Sequence, residues 1–314
     1  MKKKAIIISI KGYQLSSDEK KILANEKPWG LILFKRNIKS LKQIKKLTSK
    51  IRQLSKDSKF PIMIDEEGES VSRLGKIINN DFSQKFLGDI YEIDNKLSVD
   101  FYKNYIRNST HLLRKIGINI NTVPVLDVLR EHTNKIIGNR SFSNDPKTVK
   151  KLGTICVKQY KLNKFGTVIK HIPGHGCASL DSHFKTPKVK LKYRELNKVD
   201  FLPFKLNPSQ FAMTAHILYE KIDKKNVTTF SKKIINEIIR KKIGFKGIVM
   251  SDDISMKALK YDLITNAKKS LLAGCNLVLY CAGNIKDNFQ LIKSVPYIDQ
   301  FTAKKTSEIY KILR

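Results

Sequence analysis

The chain has 314 residues, of which 41% are hydrophobic, and a formal net charge of +33 at pH 7. It is long enough to bury a large core. No apolar run approaches the roughly 18 residues of a membrane-spanning helix, so membrane insertion is not expected. Only 10 of the 61 basic residues are arginine, and the lysines are spread along the whole chain. With no nucleic-acid-binding signature present, the charge predicts a solvated lysine surface and no specific nucleic-acid partner.

The N-terminus, MKKKAIIISIKG, places basic residues before an apolar run, as a signal peptide does. The apolar run is short, however, Lys11 follows it at once, and no small-residue cleavage site appears. The four cysteines form no CxxC pair, so they are predicted to be reduced thiols. These features predict a cytoplasmic protein whose first apolar run is a buried strand.

Eight short apolar runs, each flanked by turn residues, predict the strands of a parallel sheet that is buried on both faces. They are residues 5–10, 30–34, 61–65, 117–127, 166–172, 210–217, 246–252 and 276–282. Amphipathic segments between the runs predict helices, among them residues 40–54, 101–117, 231–244 and 263–274.

Eight strand–helix units without an internal linker predict an α/β fold, a (β/α)8 TIM barrel formed as a single domain by residues 1–314. An open doubly wound sheet is the alternative, but no GxGxxG motif follows any predicted strand.

Polar side chains recur where the predicted strands end. In a barrel these ends meet at one face, where catalytic groups gather. A single buried histidine such as His216 is more simply a core residue, but six polar residues on one face indicate a site. They are Asp65, Asp127, Lys170, His171, His216 and Asp252.

The segment KHIPGHGCASLDSH, residues 170–183, holds three of the six histidines. His171 and His175 have the spacing of two metal ligands on a helix, but Pro173 and Gly174 between them prevent a helix. Neither an HExxH motif nor a phosphate-binding GxxxxGK[ST] motif is present. No metal is therefore expected at this segment.

An acid/base role suits the end of the same segment better. Asp181 stands two residues before His183, where a carboxylate can orient the imidazole and raise its pKa. Such a histidine can donate and later accept a proton near neutral pH. Gly174 and Gly176 are expected to let this loop move over a substrate. From these residues alone, a surface loop with a capping aspartate is the favoured interpretation.

The sequence SDD, residues 251–253, ends the seventh predicted strand. One of its carboxylates is suited to act as a nucleophile or to stabilise an oxocarbenium ion. A helix N-cap would use the same residues.

Residues 238–255, IIRKKIGFKGIVMSDDIS, resemble the nucleophile signature of glycoside hydrolase family 3. KHIPGHG…DSH resembles the loop of that family's β-N-acetylglucosaminidase branch, the cytoplasmic enzymes that recycle cell-wall fragments. Further matches follow in the family's order: GLILFKRN, IDEEGESVSRL, PVLDV, IGNRSFSNDP, MTAHILY and LLAGCNLVLYC.

The resemblance implies that Asp252 is the nucleophile, that His183 is the acid/base and that Asp181 is its partner. It also implies a set of sugar-binding residues and no metal or organic cofactor. The sugar-binding residues are Asp65, Arg73, Arg140, Lys170 and His171.

One segment departs from the family pattern D-x-E-G-G-R. Here Glu69 replaces the second glycine and Ser70 replaces the arginine. The change removes a flexible backbone position and a cation near the sugar pocket.

The expected activity is that of a monomeric, retaining exo-β-N-acetylglucosaminidase. Its expected partner is a small carbohydrate or muropeptide, and anhydromuropeptides from peptidoglycan are the natural substrates implied. A family 3 β-glucosidase and an N-acetylglucosaminide phosphorylase are alternatives, and a non-catalytic, polyanion-binding barrel is a more distant one.

Overall fold

The computed structural model describes residues 2–182 and 184–313. Its eight main strands are parallel and close into one barrel in which each strand pairs with its neighbours in the chain and the last pairs with the first. The TIM-barrel prediction is confirmed. The strands are β1 Lys4–Ile8, β2 Pro28–Leu33, β3 Ile62–Ile64, β4 Ile120–Asn121, β5 Gly166–Ile172, β6 Phe211–Thr214, β7 Ile248–Asp253 and β8 Leu277–Leu279.

Most predicted strands are longer than those observed, and the fourth differs most. Residues 117–127 were predicted, but only Ile120–Asn121 form a regular strand. The chain beyond it keeps one isolated bridge, between Val125 and Lys170, and then leads to the barrel mouth. A further parallel pair, Lys188–Val189 with Leu218–Tyr219, lies outside the barrel.

Helices surround the barrel, and their ends follow the capping residues of the sequence. The Ser40 hydroxyl accepts a hydrogen bond from the N–H of Gln43, and Asp262 does the same for Thr265. Residues 231–244 were predicted as a helix, and Ile234–Lys242 forms one with π-type hydrogen bonds. The α-helices are Ser17–Lys21, Leu41–Ser55, Gln84–Ile93, Asn95–Lys115, Pro146–Leu162, Tyr193–Lys198, Leu263–Ala273, Ile285–Ser294 and Gln300–Ile312.

Two apolar cores divide the strand residues between them. Alternate strand side chains fill the barrel interior, and the intervening ones pack against the helices. The last helix, Gln300–Ile312, contributes Ile309 to the interior core, and the Trp29 indole donates to Thr306 of that helix at 2.9 Å. This helix therefore packs against the barrel core at the end opposite to the carboxyl ends of the strands.

Within residues 2–182 and 184–313, every helix is too short or too polar to cross a membrane.

Candidate active site

Five charged side chains alternate in sign across the barrel mouth, in the order Arg73, Asp65, Lys170, Glu67 and Arg140. Arg73 Nη2 lies 3.1 Å from Asp65 Oδ2, and Lys170 Nζ lies 3.1 Å from Asp65 Oδ1. Lys170 Nζ also lies 2.5 Å from Glu67 Oε1. The Arg140 guanidinium donates to both carboxylate oxygens of Glu67, at 2.7 and 3.0 Å. The predicted sugar-binding residues Asp65, Arg73, Arg140 and Lys170 thus share one network.

The network keeps its carboxylates ionised. Burial alone would raise the pKa of Glu67, but the charges of Arg140 and Lys170 outweigh it and lower that pKa to about 2. In Asp65, burial is likewise outweighed by Lys170 and Arg73, and its pKa is lowered. Two fixed anions therefore orient three cations around the mouth.

Glu67 was missed as a site residue by the sequence prediction, although it is the third residue of the D-x-E pattern that begins at Asp65. Its side chain is 2% exposed and touches two of the predicted sugar-binding residues. The sequence does not show which glutamate of this acidic loop is buried, so Glu67 could not be distinguished from its neighbours.

Arg73 is fixed by an aromatic ring as well as by Asp65. Its Nε is buried and has no hydrogen-bond partner among the described residues. Its guanidinium lies over the ring of Phe34, 5.4 Å from the centroid. This stacking, together with the ion pair to Asp65, holds the guanidinium in place.

His171 is held by Asp127, which follows β4. Its Nδ1 lies 2.7 Å from Asp127 Oδ2, and its backbone N–H donates to Asp127 Oδ1 at 3.2 Å. Burial would raise the pKa of Asp127, but its contacts with His171 and His175 lower it. A ring fixed through Nδ1 presents Nε2 as its second polar atom, as a ligand-binding histidine requires.

Asp252 lies on the inner wall of the barrel. Ile248 and Met250 of the same strand belong to the interior core, whereas Val249 packs towards the helices. The pairing with β8 is irregular beyond Met250, but the electrostatic contacts of Asp252 with Lys170 and His171 place its carboxylate at the barrel mouth. These contacts, and not the alternation of side chains, give the orientation that the sequence left undecided.

The two adjacent carboxylates differ in what they bind. Asp252 Oδ1 accepts from the Asp253 N–H at 2.7 Å, and Oδ2 receives no hydrogen bond from residues 2–182 or 184–313. Asp253 accepts from the Ser255 N–H and hydroxyl and from the Cys281 N–H, so its carboxylate holds the turn that follows β7.

Their acidities differ in the same sense. Burial would raise the pKa of Asp252, but its interactions with His171 and His216, together with the hydrogen bond from the Asp253 N–H, lower it. Burial raises the pKa of Asp253, and the nearby Asp252 anion adds to the effect. Asp252 is therefore the ionised carboxylate, and its Oδ2 accepts no hydrogen bond from the described residues.

His216 is a satisfied core residue, as expected for a single buried histidine. Its Nδ1 lies 2.7 Å from the Thr229 hydroxyl, and its Nε2 lies 3.0 Å from the backbone oxygen of Asp253. Burial lowers its pKa, which favours a neutral ring that donates from Nε2. Through this contact with the Asp253 oxygen, His216 holds the backbone of the SDD segment in place.

The glycines of the histidine loop do not confer the mobility that was expected. A Cβ on Gly176 would lie 1.8 Å from the backbone oxygen of Val128, and one on Gly174 would lie 2.8 Å from Asp200 Cβ. Both glycines are buried. They allow close packing of the first half of the loop against its neighbours, so this half is a fixed wall.

His183, and with it the predicted contact with Asp181, lies outside the described residues. Asp181 is partly exposed, and its backbone oxygen accepts from Phe184 and Lys185 at 3.2 Å. The two residues that replace the family's Gly-Arg lie on the surface. Glu69 is exposed with a φ of +43°, and the Ser70 hydroxyl donates to Asn139 at 3.0 Å.

In the described part of the chain, no group of three or more His, Cys, Asp or Glu side chains is arranged to hold a metal ion.

Comparison with known proteins gives a consistent result. Residues 3–306 match the family model described as the glycosyl hydrolase family 3 N terminal domain. A β-hexosaminidase of Neisseria meningitidis serogroup C (strain 053442) is 31% identical over 282 residues, which are 88% of this chain and 77% of that protein.

Solved structures agree. NagZ of Neisseria gonorrhoeae, in complex with N-trifluoroacetyl-D-glucosamine, superposes with a TM-score of 0.88 at 28% identity over 98% of this chain and 90% of that one. A fungal multi-domain GH3 β-N-acetylglucosaminidase gives a TM-score of 0.89 at 25% identity over 98% of this chain. This chain spans only 38% of the fungal protein.

Proposed function

This chain belongs to glycoside hydrolase family 3, and from that premise we propose that it is a retaining exo-β-N-acetylglucosaminidase. The observation that carries the proposal is the position of Asp252, ionised and on the inner wall of the barrel beside the charge network of Asp65, Glu67 and Lys170. A nucleophilic carboxylate next to fixed donors and acceptors for sugar hydroxyls is the arrangement that a retaining glycosidase requires.

In the first step, an oxygen of Asp252 attacks the anomeric carbon as the bond to the leaving oxygen breaks. His183, protonated, gives its proton to that oxygen, and Asp181 stabilises the cationic ring beforehand. Arg73, Arg140 and Lys170 hold the sugar through its hydroxyl and acetamido oxygens. The products of this step are a glycosyl ester on Asp252, the free aglycone and a neutral His183.

In the second step, neutral His183 takes a proton from water as the water oxygen attacks the anomeric carbon. The ester bond to Asp252 breaks, which restores the carboxylate and the protonated histidine. Two displacements at one carbon give N-acetylglucosamine with its β configuration retained.

The natural substrates we propose are N-acetylglucosaminyl-anhydromuropeptides from peptidoglycan, cleaved in the cytoplasm by a monomeric enzyme as part of cell-wall recycling. The similarity to a protein named β-hexosaminidase and to NagZ supports the N-acetyl sugar. The net charge of +33 is consistent with acidic substrates, because a basic surface attracts anions.

The test compares an aryl β-N-acetylglucosaminide with the matching aryl β-glucoside, with Asp252→Asn as the inactive control. Faster cleavage of the N-acetyl substrate supports the proposal, and faster cleavage of the glucoside contradicts it. Product analysis in phosphate buffer distinguishes the acceptor, because a phosphorylase would release the sugar 1-phosphate and a hydrolase the free sugar.

A further inference from the structure

The loop that carries the predicted acid/base pair has one buried residue in its exposed part. Within the described residues from 179 to 185, Ser179, Leu180, Phe184 and Lys185 are exposed and Asp181 is partly exposed, whereas Ser182 is only 4% exposed. Ser182 stands between Asp181 and His183 in the chain. A buried serine at this point fixes the backbone next to both residues.

Two contacts hold Ser182 in place. Its hydroxyl lies 3.2 Å from Nε2 of His175, and its backbone oxygen accepts from the Ala258 N–H at 3.2 Å. Ala258 belongs to the segment that follows β7 and Asp252. Thr186, further along the loop, donates its hydroxyl to the Ala258 oxygen at 2.7 Å. The loop is thus tied to the segment that follows the nucleophile strand.

His175 is itself anchored to the fixed wall of the barrel mouth. It is 3% exposed, and its N–H donates to Asp127 Oδ1 at 2.6 Å. Its Nδ1 has no hydrogen-bond partner among the described residues, so its contact with Ser182 is the side-chain hydrogen bond seen there. Its burial lowers its pKa to about 4, which keeps the ring neutral near pH 7.

We propose that His175 and Ser182 are positioning residues that set the distance between the acid/base histidine and the anomeric carbon held by Asp252. The proposal rests on the function proposed above. It follows from the geometry because His175 links the loop to the same carboxylate, Asp127, that orients His171. A small misplacement of a catalytic group is costly, and about 1 Å can cost on the order of 100-fold in rate.

The test measures how kcat/KM depends on the leaving group for a series of aryl β-N-acetylglucosaminides. Ser182→Ala removes the hydroxyl. Ser179→Ala is the matched control, since it makes the same change at an exposed position of the same loop. His183→Ala gives the reference pattern for a lost acid/base. Azide is added in a second set of assays, because it replaces the water that a displaced base no longer activates.

For substrates with good leaving groups, we expect the kcat/KM of Ser182→Ala to stay close to that of wild type. For substrates with poor leaving groups, kcat/KM should fall by roughly 10- to 100-fold. Azide should speed its turnover of the activated substrates, as for His183→Ala. The affinity for the sugar itself should be unchanged, because the charge network that holds it is untouched. A merely structural loss would lower all substrates equally and show no azide effect.

Three outcomes overturn the proposal: an equal loss for all leaving groups, no azide effect, or a Ser182→Ala variant that matches Ser179→Ala. If Ser182→Ala does not fold, Ser182→Cys, which keeps the volume but hydrogen-bonds weakly, is judged by the same criteria.

A double-mutant cycle with His175→Gln adds an independent criterion. If the two side chains act as one unit, His175→Gln should add little to the loss in Ser182→Ala, and full additivity contradicts the pairing. Failure of the proposed function would be seen separately, as a wild-type enzyme that does not cleave the N-acetyl substrates.

Discussion

Glu67 is the residue on which the arrangement of the sugar-binding cations depends. It binds Lys170 at 2.5 Å and Arg140 through both of its oxygens, and its side chain is 2% exposed. Removing one partner of a buried ion pair leaves the other charge uncompensated, which costs more than an exposed pair would. Its effect on the substrate passes through these two cations.

Glu67→Gln should therefore lower kcat/KM by about 10- to 100-fold, since a buried hydrogen bond to a charged group contributes about 1.5–3 kcal/mol. Glu69→Gln, the same change at an exposed position two residues away, is the control and should stay close to wild type. Steady-state kinetics with an aryl N-acetylglucosaminide measure both. Equal activity of the two variants would remove Glu67 from the site.

At the scale of elements, the first half of the histidine loop acts as a wall because its backbone packs closely against neighbouring segments. The Gly176 oxygen accepts from the Thr133 hydroxyl at 2.6 Å, and the Gly174 oxygen accepts from Tyr219. Val128, after β4, presents its backbone oxygen where a side chain on Gly176 would lie. The position of His175 is fixed by this packing.

Gly176→Ala should displace the wall, because its Cβ would lie 1.8 Å from the Val128 oxygen. Overpacking of this kind costs about 1–3 kcal/mol, so the urea midpoint should fall together with activity. Gly75→Ala is the control, since no atom lies within 4 Å of its Cβ position. Unchanged stability in Gly176→Ala would show that the loop yields easily.

The buried His175 also predicts how stability depends on pH. Its pKa is about 4 in the folded protein and 6.5 for an unperturbed ring, so the unfolded chain binds more protons between these values. Stability should be fully present above pH 6.5 and fall as the pH drops towards 4.

In His175→Gln, the fall in urea midpoint between pH 6.5 and 4 should be smaller than in wild type. His132→Gln, at an exposed position, should show the same fall in urea midpoint as wild type. A fall as steep in His175→Gln as in wild type would contradict the lowered pKa.

At the scale of the whole molecule, the number and order of the strands could be predicted, because near-continuous apolar runs alternate with amphipathic segments. Which side of each strand faces inward could not. Both faces of β7 are apolar, and only closure of the barrel shows that Ile248 and Met250 point inside. The sequence also could not reveal the ion pair of Glu67 with Arg140, since 73 residues separate them.

The glycines illustrate a second limit. The sequence shows that Gly174 and Gly176 lack side chains. It does not show whether solvent or another backbone segment occupies the place where a side chain would lie. Here it is backbone, because Val128 and Asp200 approach them in the folded chain. Mobility and close packing use the same residue, and only the tertiary structure distinguishes them.

The net charge of +33 leads to a prediction about the whole surface. If this charge belongs to a solvated lysine surface, binding to DNA or RNA should be weak and should decline steeply between 50 and 200 mM salt, as phosphate contacts do. A filter-binding titration across that range measures this. Tight binding that persists at physiological salt would show a specific nucleic-acid site.

Covalent trapping tests the central claim most directly, namely that Asp252 is the nucleophile of a retaining N-acetylglucosaminidase. The enzyme is incubated with a 5-fluoro derivative of an activated N-acetylglucosaminide, which slows the second displacement, and the labelled peptide is mapped by mass spectrometry. We expect a stoichiometric label on Asp252, whose Oδ2 receives no hydrogen bond from the described residues, and none on Asp253, whose carboxylate binds Ser255 and Cys281. A label on Asp253, or full activity in Asp252→Ala, would contradict the account.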